Sequence, residues 1–203
     1  MPSLVIEPAP TALVVVDLQK GVVGIATEPH SAPIVVRNAV RLAKAVRESG
    51  GLVVLVRVAT SPDGRDALRP TLDLDAPTWS PRPSDWAAII PELEGHAEDH
   101  VVTKKQWGAF YGTDLDLQLR RRGIRTLLLC GIATCFGVES TARDAFERGY
   151  DQIFVEDAMA SRTAAEHEHV VTRIFPRMGR VRSTQDVLTA LEHRRADQWP
   201  VAG

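Results

Sequence analysis

Apolar residues along this chain fall in short runs that switch between two periodicities. Thr11 to Val16 (TALVVV) is a β-branched run ending at Asp17, the form of a strand buried on both faces of a parallel sheet. From Ala32 to Ser49 the apolar positions Val35, Val36, Ala39, Val40, Ala43 and Val46 recur at three- and four-residue spacing, which predicts a helix stopped by Gly50-Gly51. Leu52 to Val58 (LVVLVRV) returns to strand. After a long interval, His100 to Thr103 (HVVT) predicts a short strand, and Thr113 to Arg122 a helix opened by Thr113 with Asp116 three residues on. Arg125 to Cys130 (RTLLLC) is another buried strand, Phe136 to Arg148 a helix, Gln152 to Glu156 a strand, and Thr163 to Phe175 a helix that ends before Pro176. Gly179 to Arg182 makes a last strand, and Ser183 with Asp186 opens a final helix.

Six short strands alternating with helices are βαβ units with right-handed crossovers. They predict a three-layer α/β/α fold around a six-stranded, mostly parallel, Rossmann-like sheet. The one irregular stretch, Ala59 to Ser84, holds Pro62, Pro70, Pro77, Pro81 and Pro83. It is longer than connections in compact domains usually are, which marks it as a lid or pocket wall. No repeat, low-complexity tract or domain boundary interrupts the 203 residues, which read as one domain with a loose tail after Arg194.

Composition removes several classes of function. Twenty-four Lys plus Arg against 26 Asp plus Glu give a formal net charge of -2, with no basic stripe, so nucleic acid is not an expected partner. The N-terminal MPSLVIEPAP has no basic region ahead of its apolar residues, and no later run approaches the ~20 residues of a membrane span. The expectation is an untargeted cytoplasmic protein without membrane contact. Cys130 and Cys135 are the only cysteines, neither in a C-x-x-C pair nor beside a His at ligand spacing. Neither a disulfide framework nor a structural zinc site is expected.

Ligands of open parallel sheets bind beyond the carboxyl ends of the strands. That rule selects Asp17 after the first strand, Lys104 and Lys105 after HVVT, and Gly131 to Gly137 (GIATCFG) after RTLLLC, all leaving one edge of the sheet. Each has a plain alternative: Asp17 as a turn cap, the lysines as solvated charges, Cys130 as an inert core thiol. Cys135, entering a helix N-terminus, is either a small buried residue or a thiol of lowered pKa. Together the three places offer a carboxylate acid/base, a cation and backbone N–H groups converging on one crevice, which is the equipment of a hydrolase.

Four stretches carry a resemblance to a known family: ALVVVDLQKG (Ala12 to Gly21), VVTKKQWGAFYGTDL (Val101 to Leu115), GIATCFGVESTARDAFERGY (Gly131 to Tyr150) and VEDAMAS (Val155 to Ser161). The chain resembles the isochorismatase-like hydrolase superfamily, also called cysteine hydrolases, from Thr11 to about Leu191. The resemblance implies that Asp17 and Lys104 are catalytic, leaves Lys105 as a solvated neighbour, and implies small-molecule substrates, no cofactor and a homodimer or larger homo-oligomer. It further implies an oxyanion hole from the N–H groups of Ala133 and Gly137, with a cis Ile132–Ala133 peptide. Where amidase branches carry the nucleophilic Cys, this chain has Gly137, and Cys135 lies two residues early. A two-residue shift near a helix start turns a side chain by roughly 200°, so Cys135 points elsewhere.

Three readings follow. One is a thiol-independent hydrolase in which Asp17 is general acid/base, Lys104 its electrostatic partner, and Trp107, Phe110 and Trp79 apolar walls. The second is an amidase with Cys135 as nucleophile. The third is an inactive homologue that binds a ligand or serves as a scaffold. A dianionic substrate such as isochorismate is not advertised by Arg65, Arg69 and Arg82 set among Asp63, Asp66, Asp73, Asp75 and Asp85. The metal site of the nicotinamidase branch has His residues after the second strand, whereas Val54 to Pro62 reads VLVRVATSP, so no metal is expected.

Overall fold

The computed structural model describes residues 4–74 and 82–198, with side chains described to residue 192. Six strands, β1 (Thr11–Val16), β2 (Leu52–Val58), β3 (His100–Lys104), β4 (Thr126–Ile132), β5 (Asp151–Ala160) and β6 (Arg180–Arg182), form one sheet in the order β3-β2-β1-β4-β5-β6. Every pairing is parallel. The helices are α1 (Lys20–Val23), α2 (Ala32–Glu48), α3 (Leu115–Arg121), α4 (Glu139–Glu147), α5 (Ala164–His169) and α6 (Thr184–Gln198). Among the described residues no helix is long and apolar enough to cross a membrane.

Alternation within the strands divides the core in two, because successive side chains point to opposite faces. Leu13, Val15, Val53, Leu55, Leu128 and Cys130 face α2 and α6, together with Ile89, Ile90 and Leu93. Ala12, Val14, Val16, Val54, Val56, Leu127 and Leu129 face α3 and α4, and there Phe154 stacks on Phe175 at 3.8 Å between centroids. This is the α/β/α layering that the runs predict.

Three elements depart from the sequence reading by more than a residue or two at an end, each for a local reason. β5 runs on to Ala160 through a register shift opposite Leu129 and Gly131, where polar Glu156 and Asp157 break the apolar pattern. The Asp157 carboxylate accepts bonds from the Thr184 N–H and hydroxyl at 2.6 and 2.7 Å, so this irregularity anchors the start of α6. The helix expected from Phe136 begins instead as a π-helical turn, Thr134–Val138, that passes into α4. The helix expected over Thr163–Phe175 is α only to His169, and continues as π and 3₁₀ turns around Pro176.

The chain proceeds from β1 outward through β2 to β3, then returns to place β4 on the other side of β1. The strand order reverses between β1 and β4, and the crevice of such a sheet opens above that point. Gly131 allows the two strands to meet there. Its φ is +123°, and a Cβ on it would lie 2.7 Å from the Val16 amide nitrogen and closer still to the Val16 carbonyl oxygen.

Candidate active site

Asp17 caps β1 in the left-handed region at φ 55°, alone among the described non-glycine residues. Aspartate tolerates that conformation better than most residues, and strained backbone of this kind gathers at functional sites. Its amide donates to the Val56 carbonyl at 2.9 Å, which turns the residue toward β2. From the far side of β2, Lys104 ends β3 and sends its ammonium across to Asp17, Nζ to Oδ2 at 2.8 Å. Lys104 is 1% exposed and Asp17 7%. β3 is separated from β1 by β2, and the long lysine stem spans the gap.

Lys104 Nζ also donates to the Trp107 carbonyl, so the ammonium is held from two sides. Asp17 Oδ1, by contrast, is buried with no hydrogen-bond partner among the described residues. Burial is the largest influence on this carboxyl and outweighs the attraction and hydrogen bond of Lys104, raising Asp17 to about 6. A carboxyl that keeps its proton up to about pH 6, with one oxygen unpaired, is chemically able to give or take a proton there. Lys105 turns away and pairs with Asp66 at 2.7 Å, half exposed, tying the loop after β2 to the end of β3.

Gly137 completes the group from the π turn after β4. A Cβ added there would stand 3.1 Å from Asp17 Oδ2, 3.2 Å from Lys104 Nζ and 2.9 Å from Val16 Cγ1. The turn is braced by Thr141, whose hydroxyl donates to the Gly137 carbonyl at 2.7 Å and accepts from the Ala109 amide at 3.1 Å. The Ile132–Ala133 peptide bond is cis.

Cys135 lies on the other flank of the same turn. Ser161 Oγ, at the end of β5, donates to its Sγ at 3.4 Å and accepts from its amide at 3.2 Å. Burial, the largest cause, moves this thiol above its ordinary value despite the Ser161 bond. Burial likewise pushes Cys130 up to about 12, as suits a core thiol.

The expected apolar walls fare differently. Trp107 is exposed and its ring lies 5.0 Å from Phe136 at a tilt of 58°, so the two aromatics form a rim over the turn. Phe110, expected as a wall, lies in the core instead. It is buried against Tyr150, which leads into β5 at the opposite edge of the sheet, with the Arg148 guanidinium over its ring. A phenylalanine in a glycine-rich loop gains more from the space between α3 and α4 than from facing solvent. Trp79 lies outside the described residues.

Sequence reasoning missed Gln19. Fully buried, it donates from Nε2 to the carbonyls of Val58 and Trp86 at 3.1 and 3.3 Å, and accepts from the Val58 amide at 2.8 Å. It fastens the end of β2 to the segment that returns from the long loop, as does its bridge to Ile89. Its only signal was a place within ALVVVDLQKG. Phe136, Ser161 and the buried pair Thr134–His167, bonded at 2.9 Å, were also unassigned.

Residues 11–186 match the isochorismatase domain. Over 189 residues the chain is 51% identical to the isochorismatase family protein YwoC of Bacillus subtilis, covering 93% of this chain and 97% of that protein. The solved structure of an isochorismatase family protein from Burkholderia thailandensis superposes with a TM-score of 0.87 at 43% identity, covering 93% of this chain and 98% of that one. N-carbamoylsarcosine amidase from Thermoplasma acidophilum is 30% identical with a TM-score of 0.67, covering 86% and 96% of the respective chains. With a matching domain over most of its length, and Asp17, Lys104 and the β4 turn gathered at one sheet edge, the chain belongs to the isochorismatase family.

Proposed function

We propose that this protein hydrolyses a small molecule by acid catalysis from Asp17, without a thiol nucleophile. One observation carries the reading: the Asp17 carboxyl, raised to about 6 by burial, keeps a buried oxygen without a partner beside Lys104 and the bare Cα of Gly137. Protonated Asp17 donates its proton to the leaving oxygen or nitrogen, water adds to the electron-poor carbon, and the bond between that carbon and the leaving atom breaks. The proton that water gives up restores the carboxyl. Lys104 holds the charge of the carboxylate in between, and the N–H groups of Ala133 and Gly137 receive the substrate oxygen as charge develops on it. Trp107 and Phe136 wall the crevice from above.

A scaffold role is disfavoured by the same pair, since a buried Asp–Lys contact stabilises a fold no better than an apolar pair of similar volume. The amidase reading draws on the name of the Thermoplasma enzyme, but here the Cys135 thiol is bonded to Ser161 and held in its neutral form. Assembly into homodimers or larger belongs to the proposal and is supported by Leu68, Leu72 and Leu74, exposed on the loop after β2.

A panel of vinyl ethers and of ureido and carbamoyl amides tests the proposal, each incubated with wild type, Asp17→Asn and Cys135→Ser. Turnover by wild type that falls by ~10²-fold or more in Asp17→Asn and persists in Cys135→Ser is the expected result. Turnover abolished in Cys135→Ser would establish the amidase reading instead, and equal turnover by wild type and Asp17→Asn would overturn an acid role.

A further inference from the structure

Behind the turn, on the side away from Lys104, three residues from distant segments converge. His30 ends the segment before α2, Glu156 lies in the irregular part of β5, and His167 is buried in α5. One ring nitrogen of each histidine and one carboxylate oxygen of Glu156 lie within 4.8 Å of one another. We propose that His30, Glu156 and His167 form a binding site for a divalent cation of the zinc class.

Four features favour a cation over a plain ion pair. His30 Nε2 is buried without a hydrogen-bond partner among the described residues, and stands 3.6 Å from Glu156 Oε2. That is too long for a hydrogen bond, yet close to the separation of about 3.3–3.5 Å that two ligands at ~2.0–2.1 Å leave around a tetrahedral ion. The two imidazoles lie edge to face at 5.7 Å between centroids, an arrangement in which neither stacks on the other. His167 Nδ1 is engaged by the Thr134 hydroxyl at 2.9 Å, which leaves Nε2 for a ligand. A second hydrogen bond of this kind is what orients metal-ligating histidines, and with a cation on Nε2 the Nδ1 would carry the proton and donate to Thr134 Oγ1.

The surroundings are fixed as a ligand set requires. Glu28 and Ser161 exchange backbone bonds at 2.9 Å, the Ala164 amide donates to Glu28 Oε2 at 3.1 Å, and Thr27 Oγ1 donates to the His30 carbonyl at 2.9 Å. The Glu156 side chain is 37% exposed and that of His30 26%, giving an entry path and room for water at the remaining position. Two imidazoles and one carboxylate suit zinc better than calcium or magnesium, which prefer all-oxygen shells. A bound ion would tie the segment before α2, β5 and α5 together and, through Thr134, to the turn that carries Cys135 and Gly137. The site escapes sequence reading because its ligands lie in three segments with no motif spacing.

Equilibrium dialysis of the full chain against ZnCl2, with bound metal counted by mass spectrometry, tests the site without reference to activity. Wild type is expected to bind one zinc per chain and to gain a few °C in Tm, roughly, as a ligand of the native state does. His30→Gln and Glu156→Gln, at partly exposed positions, are each expected to lower the association constant by roughly 100-fold. Thr134→Val is expected to lower it by ~10-fold, the range for losing the group that orients a ligating imidazole. His169→Gln, at an exposed histidine of the same helix, should bind as wild type does. Absence of zinc from wild type would reduce the cluster to an ion pair, and retention of zinc by both His30→Gln and Glu156→Gln would place the ion elsewhere; either result overturns the proposal.

Discussion

The two flanks of the Thr134–Val138 turn are built from the same few residues and offer opposite chemistry. On one, Gly137 leaves open the space where Asp17 and Lys104 meet, and a carboxylate oxygen stays unpaired. On the other, Cys135 is bonded through both its amide and its sulfur to Ser161, and its thiol is pushed away from ionisation. A reactive residue type therefore sits on the satisfied side, and the unsatisfied side has no side chain on the turn at all. Reactivity follows the unmet hydrogen-bonding capacity of a buried group rather than the intrinsic nucleophilicity of its residue type.

Gly131→Ala strikes the strand that launches the turn. A Cβ there collides with the Val16 backbone at a φ that L-residues rarely adopt. A loss of roughly 3 kcal/mol or more is expected in urea unfolding, with both flanks disturbed together. Lys104→Met is more selective. It removes the cation that lowers the Asp17 carboxyl, so turnover should drop by ~10-fold or more and the remaining activity should persist to higher pH than in wild type.

The pH dependence has a definite sign. Asp17 is raised from 3.8 to about 6, so between these values the folded protein holds a proton that the unfolded chain releases. The stability due to this group is present below about pH 4 and is lost as pH rises to about 6. Turnover limited by protonated Asp17 should fall across the upper end of the same range, and a rate rising with pH there would mark Asp17 as a base.

Gly137→Cys sharpens the contrast at the smallest cost. The new Cβ stands 2.9 Å from Val16 Cγ1, so Val16 must give way a little, and the thiol then sits beside Asp17 and Lys104. A neighbouring base and cation favour the thiolate. Peptide mapping after brief alkylation should find label at residue 137 of the variant and little at Cys135 in either protein. Rapid labelling of wild-type Cys135 with loss of activity would reverse the assignment of the two flanks.

What the sequence made legible follows from periodicity and edges. TALVVV and LVVLVRV are short runs apolar on both faces, so β1 and β2 begin and end where the runs do. Asp17 and Lys104 were visible because each is a polar residue that stops such a run. Phe110 was misplaced because an aromatic in a loop carries no periodicity to say which way it turns, and the core took it. β5 outran its apolar run because Glu156 and Asp157 find partners in tertiary structure, which no local pattern records. The reach of Lys104 across β2 depended on strand order, and that too is written only in three dimensions.

Asp17 as a carboxyl that keeps its proton up to about pH 6 is open to direct measurement. Carboxyl-carbon NMR of protein labelled at aspartate, titrated in wild type and Asp17→Asn, measures this without a substrate. A resonance with a midpoint of about 6, absent from Asp17→Asn, is the predicted result. A wild-type spectrum in which every aspartate titrates at or below the ordinary value of 3.8 would contradict it.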